Sequence, residues 1–236
     1  MAKYKIANTV FEILTVSDYT QKLCQDYLAE ENSVAEFTIK TTVEEVREYM
    51  KKEPNFPGAY LESLIVFRRI CEYLLEYKNG IIFHSSAIIV NGEAYLFTAP
   101  SGTGKSTHAR LWRELLEDKA VMLNDDKPLI RKTENGFIAY GSPWNGKHRL
   151  GENISAPIKA ICVLEQAKEN KIIKISAKEM LPVVINQTMY PNDLGKVDKM
   201  LTLLEGLLKN TSLYRLQCNI SLDAAKLSFN TMSKGD

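Results

Sequence analysis

One string, Ala99-Pro100-Ser101-Gly102-Thr103-Gly104-Lys105-Ser106-Thr107, constrains the fold more than any other stretch of the chain. Two glycines separated by one residue demand a turn whose backbone enters regions closed to residues with a Cβ. The pattern of residues 93–98 predicts a strand in front of this turn, and the apolar spacing over 107–116 predicts an amphipathic helix behind it. Strand, glycine turn and helix in that order point to an α/β design.

The same turn suits one chemistry. Around Gly102 and Gly104, successive N–H groups can converge on phosphate oxygens, and the helix start adds unpaired N–H groups and the positive end of its dipole. In the pattern G-x-x-x-x-G-K-[ST], Lys105 reaches the β and γ phosphates and the Ser106 hydroxyl ligates Mg²⁺. Ser101, Thr103 and Thr107 fall in the same run, so residues 101–107 are the expected contacts of a nucleoside triphosphate. ATP and Mg²⁺ are the expected cofactors. The departure from the pattern is Ala99 in place of the first glycine. Pro100 behind it limits Ala99 to extended conformations, which suits a strand end running into the loop.

At 236 residues the chain has room for one large domain, or a domain with an appendage, and for a sizeable core. A net charge of +1 offers no basis for a nucleic-acid surface or a polybasic membrane anchor. Cys24, Cys71, Cys162 and Cys218 lie far apart in apolar stretches, as buried free thiols of a reducing compartment do. No apolar run reaches the length of a membrane span, and the first residues lack the apolar segment of a signal peptide. The expected location is the cytoplasm.

Residues 1–78 alternate strand and helix signals and read as a small N-terminal α/β appendage, with 79–236 as the main domain. Strand-like stretches over 4–16 lead to helical spacing over 19–29, a strand over 36–42, and a helix over 43–53 capped by Thr42. After a break at 54–58, residues 60–77 carry a broad apolar stripe. Strand signals follow at 80–84, which includes His84, and at 87–90, joined through Asn91-Gly92 to 93–98 as a hairpin. Residues 120–124 form a short apolar strand, 129–132 and 137–140 a second hairpin, and 141–151 a polar loop. Strands are expected at 158–165, 172–176 and 213–218, and helices at 177–189, 194–208 and 222–232.

Asp125-Asp126 ends the strand that follows the loop helix, where a metal-binding carboxylate of a phosphoryl-transfer site belongs. Adjacent carboxylates at a strand end project to different sides. One can hold Mg²⁺, for which Asp126 is the candidate beside Ser106, and the other can serve as general base toward an acceptor hydroxyl. Taken alone, such a pair more often caps a turn before Lys127-Pro128.

Together these residues resemble the superfamily of HPr kinase/phosphorylase and ATP-dependent phosphoenolpyruvate carboxykinase. The resemblance rests on His84-Ser-Ser86, the hairpin through Asn91-Gly92, the run from Ser101 to His108, the string from Asn124 to Pro128, and the string from Gly141 to His148. It covers residues 80–230 and is nearest to the bacterial HPr-kinase-related proteins called serine kinases. It implies a mixed-sheet phosphate-loop kinase core and transfer of the γ-phosphoryl group of ATP to a hydroxyl of a peptide, protein or small molecule. It also places His84, Asp125 and Asp126 around the γ-phosphate and metal, with Lys105 on the phosphates. In the loop at 141–149, Lys147, His148 and Arg149 could steady the transferring phosphate or hold an anionic acceptor, with Trp144 as a wall. The docking signature of true HPr kinases is not found between residues 151 and 236. Members of that group form oligomers, and nothing in these residues specifies a number. A nucleotide-dependent binding module and a carboxykinase-like phosphotransferase are the alternatives.

Overall fold

The computed structural model describes residues 2–146 and 148–234. A three-stranded sheet comes first: β1 (Lys3–Ile6), β2 (Thr9–Leu14) and β3 (Phe37–Lys40), in that order. The β1–β2 hairpin turns on Ala7 and Asn8, both with positive φ. Helix α1 (Tyr19–Leu23) and a single 3₁₀ turn connect β2 to β3, where the sequence predicts one longer helix. Helix α2 (Val43–Lys52) opens with a capping box in which Thr42 and Glu45 each satisfy the other's backbone N–H. Such a cap contributes about 1 kcal/mol.

Helix α3 (Gly58–Lys78) is the longest element and carries Glu62, which is buried in the protein. Its carboxylate accepts hydrogen bonds from the backbone N–H groups of Val16 (2.6 Å) and Ser17 (3.0 Å) and from the hydroxyls of Ser17 (2.5 Å) and Thr41 (2.5 Å). Burial pushes the Glu62 pKa up, but these donors outweigh it and hold the group below the usual carboxylate range. Four donors thereby clamp the chain after β2 and the start of α2 onto α3. The apolar side of α3 (Val66, Phe67, Ile70 and Leu74) shares one core with the first sheet and with Ile82, Leu129 and Trp144.

The second sheet has nine strands: β4 (Gly80–Ile82), β5 (Ser86–Val90), β6 (Glu93–Thr98), β7 (Ala120–Asn124), β8 (Leu129–Thr133), β9 (Gly136–Tyr140), β10 (Ser155–Gln166), β11 (Lys171–Lys174) and β12 (Ser212–Cys218). It is mixed. β5 pairs antiparallel with both β6 and β7, and β6 pairs parallel with β10. The sheet forks at β10, whose other rim is filled first by β9, antiparallel at residues 155–157, and then by β12, parallel from Ala160 onward. A bulge at Ile158/Ala160 accompanies the change of partner.

Both faces of the second sheet are covered. Side chains alternate between them: Leu96, Ile161 and Val163 face helices α5 (Ala177–Asn186) and α6 (Val197–Lys209), while Tyr95, Phe97, Ala160 and Cys162 face α4 (Lys105–Leu116) and α7 (Leu222–Met232). Cys24, Cys71 and Cys162 are buried and Cys218 is partly exposed, all as free thiols. Among the described residues no helix is long and apolar enough to cross a membrane.

Candidate active site

The antiparallel placement of β5 brings three chain ends together. Ser86, at the start of β5, lies opposite Phe97 near the end of β6, and Ala87 lies opposite Asn124 at the end of β7. The glycine loop after β6, the segment before β5 and the carboxylates after β7 therefore share one edge of the sheet.

The loop is shaped by backbone demand. Gly102 (φ +81°) and Gly104 (φ +117°) lie in the left-handed half of conformational space, and a Cβ on either would meet nothing within 4 Å. Glycine is needed there for its φ, and the space around the turn is open. Gly104 caps α4, and Lys105 begins it. The Lys105 ammonium, buried, donates to the carbonyls of Ala99 (2.8 Å) and Pro100 (3.4 Å). Burial lowers its pKa, and the charges of Asp126 and Asp125 work against that. Gln166, at the end of β10, donates to Thr103 O (3.2 Å) and ties the loop to the sheet. Ser101, Gly102 and Ser106 are exposed, and Thr103 and Thr107 half-buried.

Asp125 is buried, and its Oδ1 accepts a hydrogen bond from Ser86 Oγ at 2.8 Å. A Cβ on Gly146 (φ +58°) would lie 3.6 Å from Asp125 Oδ2, so the loop after β9 folds closely over this carboxylate. Asp126 turns elsewhere. His84 Nε2 donates to its Oδ1 at 2.6 Å, and Lys127 pairs with its Oδ2. Burial raises the Asp126 pKa, but the bonds and charges of His84 and Lys127 prevail and keep it below the ordinary carboxylate value. The two carboxylates thus have different neighbours although they are adjacent in the chain.

Asn124, fully buried, sets this divergence. Its Oδ1 accepts from the backbone N–H of Asp126 (2.9 Å) and Lys127 (2.6 Å), and its Nδ2 donates to Ser142 O (3.1 Å). The sequence signals for Asn124 and Ser86 were their places in the strings Asn124 to Pro128 and His84-Ser-Ser86. Neither residue was singled out, because their roles depend on contacts between distant segments.

His84 lies outside the strand expected for it. β4 stops at Ile82, and the N–H groups of Phe83, His84 and Ser85 bond to the carbonyls of Pro128, Gln187 and Asp126 in place of a regular ladder. That irregular path delivers the imidazole to Asp126. His108, by contrast, sits within the loop motif yet packs away from it. Its Nε2 bonds Ser228 Oγ (3.0 Å), its ring abuts Phe97, and burial lowers its pKa to about 4.

In the loop at 141–151, Trp144 is buried against Phe67 with ring centroids 4.6 Å apart. Arg149 takes a left-handed backbone (φ 48°) and is exposed, as is His148. Lys147 lies outside the described residues. A cleft of about 290 Å³ runs between α1, α3 and this loop, lined by Tyr19, Tyr60, Leu64, Asp126, Trp144 and Arg149 among others. A neighbouring recess of about 310 Å³ shares Leu64 and Lys127 with it and is lined also by His84, Phe67 and Gln187. Among the described residues no group of three or more His, Cys, Asp or Glu side chains is placed to hold a metal ion by itself.

Fold and site together define an α/β protein whose mixed sheet collects a glycine loop, a buried lysine, a histidine and two carboxylates at one edge. The chain belongs to the family of the SynChlorMet cassette protein ScmC, whose model matches residues 61–191, more than half of it. No curated protein matches the chain. Among solved structures, the chain is similar to the Hpr(Ser) kinase/phosphatase from Coxiella burnetii at 9% identity and a TM-score of 0.38, covering 65% of this chain and 97% of that chain.

Proposed function

We propose that this chain is an ATP- and Mg²⁺-dependent kinase of a hydroxyl group, on the HPr kinase and phosphoenolpyruvate carboxykinase branch of phosphate-loop proteins. One observation carries the reading: the open glycine turn leading into the buried Lys105 at the start of α4 shares one sheet edge with Asp125 and Asp126 after β7. The residues fit the groups this requires. Open backbone at Gly102 and Gly104, a buried ammonium and a helix N-terminus suit a polyphosphate. Ser106 and one or two carboxylates are the all-oxygen donor set of Mg²⁺, which takes its remaining ligands from phosphates and water.

When bound, MgATP supplies the γ-phosphoryl group and the cation that offsets its charge. Lys105 leaves the Ala99 and Pro100 carbonyls for the phosphates. Asp125, held by Ser86 next to the loop, takes the metal-side role with Ser106 in place of the Asp126 expected from the sequence. Asp126 faces the cleft and stays ionised through His84 and Lys127, so it receives the acceptor's hydroxyl proton. Little basicity is needed, because the transition state of phosphoryl transfer is loose and the work is mainly positioning.

Titration calorimetry with MgATP tests the donor half. Lys105→Ala is expected to weaken binding by about 10-fold or more, the loss of charge-assisted bonds to phosphate. Equal binding by this variant, or none by the wild type at millimolar MgATP, overturns the reading. MgATP binding without transfer to any hydroxyl acceptor would leave a nucleotide-dependent binding module.

A further inference from the structure

The cleft between α1, α3 and the Trp144 loop has a polar pattern that the donor half of the reaction does not use. None of residues 99–107 lines it, whereas Asp126 does. Asp126 therefore stands between two spaces: the glycine loop with Lys105 on one side, and a cleft roofed by the N-terminal helices on the other.

Two buried polar atoms of residues on that lining have no hydrogen-bond partner among the described residues. Trp144, 6% exposed, has an unpaired indole Nε1–H, and Asn145, 9% exposed, has an unpaired Oδ1 while its Nδ2 donates to Gly151 O. Buried groups of this kind carry a desolvation penalty unless something pairs with them. Arg149, on the same lining, makes no hydrogen bond or ion pair among the described residues. The cleft thus has an exposed, unpaired Arg149, the Asp126 carboxylate and apolar walls from Tyr19, Tyr60 and Leu64, with an unpaired N–H donor and an unpaired carbonyl acceptor buried in the Trp144 and Asn145 side chains of its lining.

From this complement we infer that the cleft binds the phosphoryl acceptor, and that the acceptor is a hydroxy amino acid unit with a free carboxylate. The carboxylate pairs with Arg149 and the Trp144 N–H, the unit's own N–H meets Asn145 Oδ1, and its hydroxyl faces Asp126. The inference rests on the kinase reading for the hydroxyl's fate and on the cleft alone for binding. In the transfer, the acceptor oxygen bonds to phosphorus as the bond to the β-phosphate oxygen breaks; ADP leaves, and the hydroxyl proton passes to Asp126. At about 290 Å³ the cleft is at the small end of ligand pockets, enough for a free amino acid or the last residues of a peptide. Both sources share the same chemistry.

Binding can be read without turnover. Of the two tryptophans, Trp112 is fully buried under α7, so the Trp144 signal reports on the cleft. The full chain is titrated with L-serine, with the dipeptide Leu-Ser, and with Leu-Ser amide, each with and without a non-hydrolysable MgATP analogue, by fluorescence and by calorimetry. The free acid is expected to bind about 10-fold more tightly than the amide, the contribution of a charge-assisted bond. Arg149→Gln is expected to bring acid and amide within about 2-fold of each other. Tighter binding of Leu-Ser than of L-serine assigns the site to a peptide end, and the reverse to a free amino acid. Equal affinity for acid and amide, no binding of any probe at 10-millimolar order, or an undiminished preference in Arg149→Gln overturns the inference. Failure of MgATP to bind while the acid probes bind would sink the kinase reading and leave the cleft assignment standing.

Discussion

Glu62 and Asp126 are both carboxylates held below their ordinary pKa, and they sit in opposite circumstances. Glu62 is saturated by four neutral donors from two neighbouring segments, has no cation partner among the described residues and does not line the cleft beside Trp144. Asp126 is shared between a histidine and a lysine, remains partly exposed, and lines an open space. A carboxylate whose lone pairs are spent on backbone and hydroxyls serves the fold. One balanced by partly exposed cationic partners at a cleft is available for chemistry.

Substitutions can break that contrast. Asp126→Asn should lower phosphoryl transfer by about 10³-fold, the usual range for losing a general base, while urea melts of the variant match the wild type. Glu62→Ala should do the reverse: a loss of about 3 kcal/mol in urea unfolding as its donors are left unpaired, with MgATP affinity retained in the folded fraction. If Asp126→Asn unfolds the protein and Glu62→Ala does not, the roles assigned to the two groups are exchanged.

The two histidines extend the contrast to pH. Burial holds His108 neutral with a pKa of about 4, against an unfolded value of about 6.5, so the unfolded chain binds its proton first. The stability this burial allows is full above about pH 6.5 and falls with pH, by about 2 kcal/mol between pH 7 and pH 5. Urea midpoints at the two pH values should show this slope, and His108→Gln should flatten it by that amount. The smallest effect sharpens the account of Glu62: Thr41→Val removes one of its donors and should cost about 1 kcal/mol in the same assay. An effect as large as that of Glu62→Ala would mean that Thr41 acts through something other than this bond.

Local chemistry made much of the fold readable. Asn91-Gly92 takes the positive φ values that its hairpin needs, Thr42 caps α2 as its position suggests, and β7 and α7 have the expected bounds. The turn at Ala7-Asn8 was not read, because alanine seldom adopts positive φ and gives no signal there. Helix α5 ends at Asn186, before the expected 189, and a 3₁₀ turn precedes α6. The site was readable where it is written as strings. The divergence of Asp125 from Asp126 was not, since it depends on Asn124, Ser142 and His84 meeting across the fold. Nor was the cleft, because α1 and α3 reach Trp144 only through tertiary packing, which no local pattern encodes.

The fork at β10 has a consequence in time. β8 and β9 are joined by a short turn and can pair as soon as they exist, whereas the rest of the β10 rim waits for β12, with Ala160 opposite Ser212. Helices α5 and α6 lie between these two strands in the chain. Contacts of such long sequence separation form slowly. During synthesis β10 thus offers an unpaired edge while its inner partners are already made, and a chain halted before residues 212–218 would expose that edge to other chains.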